Sequence, residues 1–372
     1  MNKKSVVISV SNDLVTDQRV ARSIEVLQDL NYDITLIGRK LPNSMDLNRP
    51  FKTIRFKLWF HSGFLFYANY NIRLFFFLIF RKYDLYFSND LDTLLPNLLI
   101  SKLKSKKLLY DSHEYFLGVP EIQTRPLVKK VWTIIERFCL PKADGFITVN
   151  KSIKELYIKD YGKEACVIRN IGDARLPSKI KTRNELGLPS DKFILINQGA
   201  GINVDRGMEE ALDALDFLDN CLLLLVGKGD VLPKLKEIVK QKNMEEKVCF
   251  IPPKPYLEML QYTLNSDCGL SLDKNTNVNY QFSLPNKLFD YIKSGIPVLC
   301  SDIIEVRNIV EGYNIGQVSP NHKAQSIANA IDKIRSKGKD FYQPKLKQAA
   351  MENNWELESI VLKNYIQEIE NK

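Results

Sequence analysis

The residues best suited to hold a phosphate are concentrated in Phe282–Asp302, which reads FSLPNKLFDYIKSGIPVLCSD. Pro285 suits the first turn of a helix, because its fixed φ and missing N–H cost nothing there, and Gly295 suits the residue just past the end. The spacing predicts a ten-residue helix from Pro285 to Ser294, followed by Pro297-Val298-Leu299-Cys300 as a short buried parallel strand. On a wheel of about 100° per residue, Lys287, Asp290, Tyr291 and Ser294 fall on one face. A cation and a carboxylate are thus expected to project together near a helix N-terminus, where free N–H groups and the macrodipole favour an anion. By themselves these residues fit a phosphate site and an i,i+3 surface salt bridge equally well.

Three further segments lie where a strand gives way to a turn. In QGAGINVDRG, Gln198 to Gly207, Gly199 lets backbone approach a ligand and Arg206 offers planar donors suited to phosphate oxygens. The segment is neither G-x-G-x-x-G nor a Walker loop, since no Gly-Lys-Ser/Thr follows. A tight turn with an exposed arginine is its plainer reading. Val226-Gly227-Lys228-Gly229-Asp230 opens on the same edge and either supports a nucleotide or caps the next helix through Asp230. Tyr110–Tyr115, YDSHEY, ends a strand of the first half and makes His113 a candidate functional group, although a lone histidine is more often structural.

Positioning these groups requires a regular scaffold, and the chain supplies one. Strand-like runs at Ser5–Val10, Ile34–Ile37, Leu85–Ser88, Lys107–Asp111, Gly145–Val149 and Cys166–Arg169 alternate with helical patterns at Gln18–Leu30, Thr93–Leu103, Leu127–Leu140 and Ile153–Tyr161. Asn170–Asp191, with Gly172, Pro177, Gly187 and Pro189 among charges, reads as a linker. A second series follows at Phe193–Gln198, Cys221–Val226, Lys247–Ile251, Cys268–Leu272, Val298–Ser301 and Gly316–Ser319. Two doubly wound parallel α/β domains in tandem are expected, spanning residues 1–170 and 171–354, with a C-terminal helix in 355–372 that can close either one. In such sheets ligands bind beyond the strand carboxyl ends, so a cleft between two facing domains is the natural site.

One stretch departs from this rhythm. Trp59–Phe80, WFHSGFLFYANYNIRLFFFLIF, is densely aromatic, is followed by Arg81-Lys82, and is interrupted by Asn69, Asn71 and Arg73, which makes it a poor membrane span. It fits a buried crossover helix or an interfacial, membrane-surface helix.

Composition narrows the classes. The 372 residues are 45% hydrophobic and 26% charged, an ordinary globular balance large enough for two cores. The six cysteines are scattered without CxxC or Cys/His clusters, which suggests reduced thiols in the cytoplasm. His61, His113 and His322 are too far apart in sequence to suggest a zinc site, and no metal is expected. The N-terminus lacks the apolar run of a signal peptide. The net charge of +9 is uneven: through Ala165, 26 Lys and Arg stand against 17 Asp and Glu, whereas the remainder holds 27 of each. The first half is therefore expected to face something anionic. No nucleic-acid reading motif accompanies that charge, and a membrane surface is the expected partner.

Taken together, QGAGINVDRG, LVGKGD and SLPNKLFDYIKSGIPVLCSD in the second half, with NDLVTDQRV and YDSHEY in the first, resemble the retaining glycosyltransferases of family 4, in particular bacterial members that build cell-surface polysaccharides. The resemblance covers nearly the whole chain and is most specific in SLPNKLFDY. It implies the GT-B fold, two facing Rossmann-like domains with a cleft between them. It places the ribose-binding carboxylate of the family's E-x7-E motif on Asp290, the diphosphate-binding cation on Arg206, and the sugar-contacting histidine on His113. Lys287 and the backbone of Ser283, Leu284, Pro285 and Asn286 would meet the diphosphate or sugar, with Gly199 and Gly227 beside them. The sequence departs from the family at Phe282, where the first glutamate of the motif stands, at Ala200, where a second phosphate-binding arginine stands, and at Ser11–Asp17, which replaces a glycine-rich loop.

The implied reaction is metal-independent transfer of a sugar from a nucleotide-diphosphate donor to a hydroxyl of a saccharide or lipid-linked saccharide, with retention. No cofactor is expected besides the nucleotide sugar, and the implied location is the cytoplasm, at the inner face of the plasma membrane. Two other classes fit the same architecture: a sugar-nucleotide epimerase, which would need an acid and base set, and a catalytically silent sugar-nucleotide-binding protein, which Phe282 and Ala200 favour.

Overall fold

The structure is a computed structural model that describes residues 3–15, 17–172 and 175–372. Thr16 of the Ser11–Asp17 segment and Asp173 and Ala174 of the linker lie outside the described residues. The chain forms two compact units, one comprising residues up to Asn170 together with Glu358–Lys372, the other Ile171–Leu357.

The first unit is built on strands β1 (Ser5–Asp13), β2 (Asp33–Lys40), β3 (Lys52–Lys57), β4 (Leu85–Asn89), β5 (Lys107–Ser112), β6 (Gly145–Thr148) and β7 (Cys166–Val167). They form one parallel sheet in the order β3-β2-β1-β4-β5-β6-β7. Its central strands are continuous apolar runs, as burial on both faces requires, and Val6, Val7, Ile8, Tyr86, Phe87, Leu108 and Leu109 are fully buried. The sequence reading misses β3. In KTIRFK, exposed Lys52 and Lys57 flank four half-buried residues that include Arg55, a pattern suited to an edge strand and unlike the apolar runs inside the sheet.

Between β3 and β4 the aromatic stretch forms the helix Gly63–Ile79. Phe66, Tyr70, Leu74 and Leu78, each four residues from the next, bury one stripe of it. Each such side chain contributes about 1.5–3 kcal/mol of transfer free energy. The opposite side is also apolar, and Phe64, Leu65, Ile72 and Phe76 remain exposed. No helix among the described residues is long and apolar enough to cross a membrane. The C-terminal helix Trp355–Asn371 returns to this unit from Glu358 onward. There Tyr365 Oη meets the backbone N and O of Phe146 at 2.9 and 3.2 Å, and Glu358 takes both the backbone N–H and the guanidinium of Arg169 at 2.7 Å.

The second unit holds β8 (Phe193–Gly199), β9 (Cys221–Gly227), β10 (Val248–Ile251), β11 (Cys268–Ser271), β12 (Val298–Ser301) and β13 (Gly316–Ser319). The sheet is again parallel, in the order β10-β9-β8-β11-β12-β13. In each sheet the order reverses at one point, between β1 and β4 in the first unit and between β8 and β11 in the second. A crevice beyond the strand carboxyl ends at such a reversal is where open α/β sheets bind ligands.

Candidate active site

In the second unit the sequence candidates converge at the reversal between β8 and β11. The turns after β8 and β9 are laced together because glycines let their backbones touch. Gly199 and Gly227 pair in register with φ of 121° and 139°, and a Cβ on Gly227 would lie 1.9 Å from the Gly199 carbonyl oxygen. Lys228 N donates to Gly199 O, and Ile202 N donates to Lys228 O, each at 3.1 Å. Asp230 does not cap the helix that follows, which begins at Leu232. Its carboxylate instead accepts from Val204 N at 2.9 Å and fixes the preceding turn.

That turn delivers Arg206 to the end of β11. Gly207, at φ 75°, leans against the Leu272 carbonyl so closely that a Cβ would sit 2.2 Å away. Arg206 Nη1 donates to Asp273 Oδ2, and the guanidinium lies over the Tyr280 ring, 4.0 Å from its centroid. Ser283 Oγ donates to the same Asp273 oxygen at 2.9 Å, and Ser301 Oγ donates to the Asp273 carbonyl at 2.6 Å. Asp273 is 1% exposed, yet its Oδ1 has no partner, and neither has the buried Nε of Arg206.

The helix of the SLPNKLFDY segment runs Asn286–Lys293, with Pro285 as the N-cap in extended conformation and Gly295 at φ 67° beyond its end. Both terminal residues thus serve the helix, although Pro285 stands one position earlier than expected. Ser283 and Leu284 lead into this N-terminus, half-buried, and Asn286 is its first residue. Lys287, also half-buried, is pushed down to about 8 by burial; the Asp273 carboxylate pulls the other way, and the Arg206 charge adds to the fall. Arg206 and Lys287 thus set two cations around one carboxylate beside free helix amides, which leaves a net positive charge where an anion can bind.

Lys287 and Asp290, three residues apart on this helix, meet different groups. Asp290, 5% exposed, turns toward Gln198 Nε2 at 3.0 Å, Tyr256 Oη at 2.5 Å and Lys293 Nζ at 3.3 Å. Burial raises its carboxyl, and Lys293, Tyr256 and Gln198 oppose the rise. Thr263 Oγ1 donates to Gln198 Oε1 and so fixes which way the Gln198 amide points. Tyr291 enters the core, its hydroxyl 3.2 Å from the carbonyls of Ile196 and Leu270.

In the first unit, His113 lies just past β5, close to the reversal between β1 and β4. Its backbone N donates to Asp90 Oδ1 at 3.0 Å; Nδ1 is 3.3 Å from Asp90 Oδ2, and Nε2 is 3.5 Å from Asp111 Oδ2 and 3.2 Å from Asn89 Oδ1. Burial pushes the imidazole down, but Asp90 and Asp111 outweigh it and raise it to about 9. The two carboxylates thus favour the protonated form of the His113 imidazole. Arg19 grips Asp111 through Nε at 2.9 Å and Nη2 at 2.6 Å; against the pull of burial, Arg19 and His113 hold that carboxyl well below the usual range. Asp92, bonded by Ser11 Oγ, is raised to about 7 by burial and by the Asp90 charge.

Asp273, Tyr280, Asp90, Asp92 and Arg19 escape the sequence reading. Asp273 carries one usable signal, its position directly after the apolar run of β11. Among the described residues no group of three or more His, Cys, Asp or Glu is arranged to hold a metal ion.

Residues 178–353 match the family model described as glycosyl transferases group 1, and residues 18–174 match glycosyltransferase family 4. No curated protein matches the chain. Among solved structures, sucrose-phosphate synthase from Thermosynechococcus elongatus is similar at TM-score 0.79 and 18% identity, covering 98% of this chain and 99% of that one. Anabaena HepE in complex with UDP-glucose is similar at TM-score 0.76 and 15% identity, with 98% and 99% covered. WaaG, a glycosyltransferase involved in lipopolysaccharide biosynthesis, is similar at TM-score 0.68 and 15% identity, with 96% and 98% covered. The two parallel Rossmann-like units are those of the GT-B fold.

Proposed function

Because the chain belongs to the GT-B glycosyltransferases of family 4, we propose that it transfers a sugar from a nucleotide-diphosphate donor to a hydroxyl of a saccharide or lipid-linked saccharide, with retained anomeric configuration. The observation that carries this reading is the gathering of Arg206, Lys287 and the Asn286–Lys293 helix N-terminus around buried Asp273. Such a cluster stabilises the charge that develops on a departing diphosphate, the requirement of glycosyl transfer from a nucleotide sugar. HepE is seen with UDP-glucose, which supports a donor of the same class here.

In this reading the bond from the anomeric carbon to the diphosphate oxygen breaks, and the bond to the acceptor oxygen forms on the same face. The acceptor proton passes to the leaving phosphate. Arg206 and Lys287 supply the counter-charge, so the transfer is proposed to be metal-independent. Asp290 is assigned the ribose hydroxyls, Ser283–Asn286 and the glycines at 199 and 227 the donor's polar groups, and the His113 imidazolium a sugar oxygen. Cell-surface polysaccharide synthesis at the inner face of the plasma membrane is the proposed setting, with the basic, aromatic first unit toward the lipid.

Phe282 and Ala200 support a second reading, a silent sugar-nucleotide-binding protein. Incubation with labelled nucleotide sugars and a mixture of saccharide acceptors separates the two. Free nucleotide together with a labelled glycoside supports transfer; unchanged donor that nevertheless binds supports the silent reading, and epimerised donor supports neither.

A further inference from the structure

Glu136 lies fully buried on the helix Pro126–Cys139, and the reaction described above makes no use of it. Its partners are two tyrosines of the helix Lys151–Tyr161: Tyr161 Oη donates to Oε2, and Tyr157 Oη lies 3.3 Å from Oε1. Tyr157 Oη in turn lies 2.9 Å from Oγ of Ser112, the last residue of β5, and Ser112 Oγ is 2.6 Å from the carbonyl oxygen of Glu114. The line therefore ends on the two residues that flank His113.

Counting hydrogens along this line gives the state of Glu136. A carbonyl oxygen has no hydrogen, so the 2.6 Å contact takes the one on Ser112 Oγ. The 2.9 Å contact must then take the one on Tyr157 Oη. With its own hydrogen spent, Tyr157 meets Glu136 Oε1 only as an acceptor, and the hydrogen there belongs to Glu136. The carboxyl is thus a neutral acid at the head of a one-way chain of donors, from Glu136 to Tyr157 to Ser112 to the Glu114 carbonyl. An ionised Glu136 would draw the Tyr157 hydrogen to itself and leave Tyr157 Oη and Ser112 Oγ facing each other through lone pairs.

The surroundings favour the neutral form. Facing Glu136 are Tyr157, Asp160 and Tyr161 of one helix, Tyr110 of β5, Tyr115 of the turn and Cys139 of its own helix, all of them acidic or neutral. Burial raises the carboxyl to about 7; the hydroxyls of Tyr161 and Tyr157 oppose the rise, and Asp160 adds to it.

We propose that Glu136 is a positioning residue, which as a neutral acid holds the His113 turn in place through Tyr157 and Ser112 and loosens it on ionising. Its bearing on sugar transfer rests on the glycosyl-transfer reading above; its protonation and its hold on the turn do not.

The test compares the full chain with Glu136→Gln and Tyr157→Phe. Glutamine can donate to Tyr157 and accept from Tyr161 as the acid does, and phenylalanine keeps the Tyr157 ring while removing the relay. Infrared difference spectra of wild type against Glu136→Gln at pH 5.5 show the carbonyl band of a protonated carboxylic acid; absence of that band overturns the proposal. In NMR spectra of protein carrying nitrogen-labelled histidine, the His113 signal, assigned by its loss in His113→Gln, shifts as pH rises through about 7, and neither variant shows the shift. A shift that persists in Glu136→Gln or Tyr157→Phe overturns the positioning role. The folded carboxyl stands above its ordinary 4.5, so its stabilising contribution is complete below 4.5 and is lost as pH rises through about 7. The urea midpoint of wild type should fall across that window relative to Glu136→Gln, and parallel curves overturn the neutral acid. In turnover, kcat of wild type falls through the same range at unchanged donor KM, and Glu136→Gln lacks the fall. A wild type that transfers no sugar but keeps the infrared band and the His113 shift rejects the glycosyl-transfer reading and leaves the hold of Glu136 on the turn standing.

Discussion

Arg206 and Asp273 meet across the boundary where β8 and β11 reverse the strand order, and each keeps one buried polar atom without a partner. An unsatisfied buried polar atom costs about 1–3 kcal/mol. Both atoms are closed off from solvent, so this strained pair beside a helix N-terminus is held by the packing around it.

Arg206→Ala should lower kcat/KM by roughly 10- to 150-fold, the loss of one charge-assisted contact of about 1.5–3 kcal/mol. It should also lower the melting temperature, because Asp273 loses its guanidinium partner. Arg206→Ala combined with Asp273→Asn should recover part of the stability and none of the rate. Steady-state kinetics with thermal melts checks both, and an unchanged rate removes Arg206 from the site.

How much of this was legible beforehand differs from residue to residue. The apolar runs of both sheets are readable because strands buried on both faces carry continuous hydrophobic sequence, whereas β3 escapes because Lys52, Arg55 and Lys57 mask it. Arg206 is visible as a cation in a glycine-bearing turn. Its partner Asp273 lies 67 positions away and is brought near by the sheet, a relation that no local pattern records. The wheel places Lys287 and Asp290 on one face, about 60° apart. That angle is enough for their surroundings to differ, Asp273 and Arg206 for one, Gln198 and Tyr256 for the other.

If the depressed Lys287 meets the donor diphosphate as proposed, donor binding should depend on pH. Its charge disappears as pH rises through about 8, whereas a bound diphosphate favours the protonated form. Affinity for a nucleoside diphosphate should be flat below that point and fall above it, approaching about tenfold per pH unit until the value in the complex is reached. Lys287→Met should bind more weakly at pH 7 and lose this slope. Calorimetric titrations from pH 6.5 to 9.5 decide the matter; identical profiles would place Lys287 away from the phosphates.

His113 predicts a pH dependence of stability with the opposite origin. Its folded value of about 9 lies above the ordinary 6.5, so its stabilising contribution is fully present below 6.5 and is lost as pH rises through 9. The stability difference between wild type and His113→Gln, measured by urea unfolding, should shrink between pH 6 and pH 9.5. A difference that stays constant would show that Asp90 and Asp111 do not hold a charged imidazole.

Asp290 is best tested by Asn rather than Ala. Removing the carboxylate outright leaves Gln198 Nε2 and Tyr256 Oη without their acceptor and should cost about 1–3 kcal/mol of stability, clouding any binding result. Asp290→Asn keeps the shape and should weaken nucleotide binding about tenfold or more if the carboxylate accepts ribose hydroxyls. Equal affinity would reject that assignment.

The most direct measurement of the central claim is product analysis after incubating the full chain with single labelled nucleotide-diphosphate sugars and a saccharide or lipid-linked acceptor, beside Arg206→Ala. One donor should yield free nucleoside diphosphate and an equal amount of glycoside with the donor's anomeric configuration, at a rate that collapses in the variant. Inverted product would contradict retention, and equal turnover in wild type and Arg206→Ala would contradict the site itself.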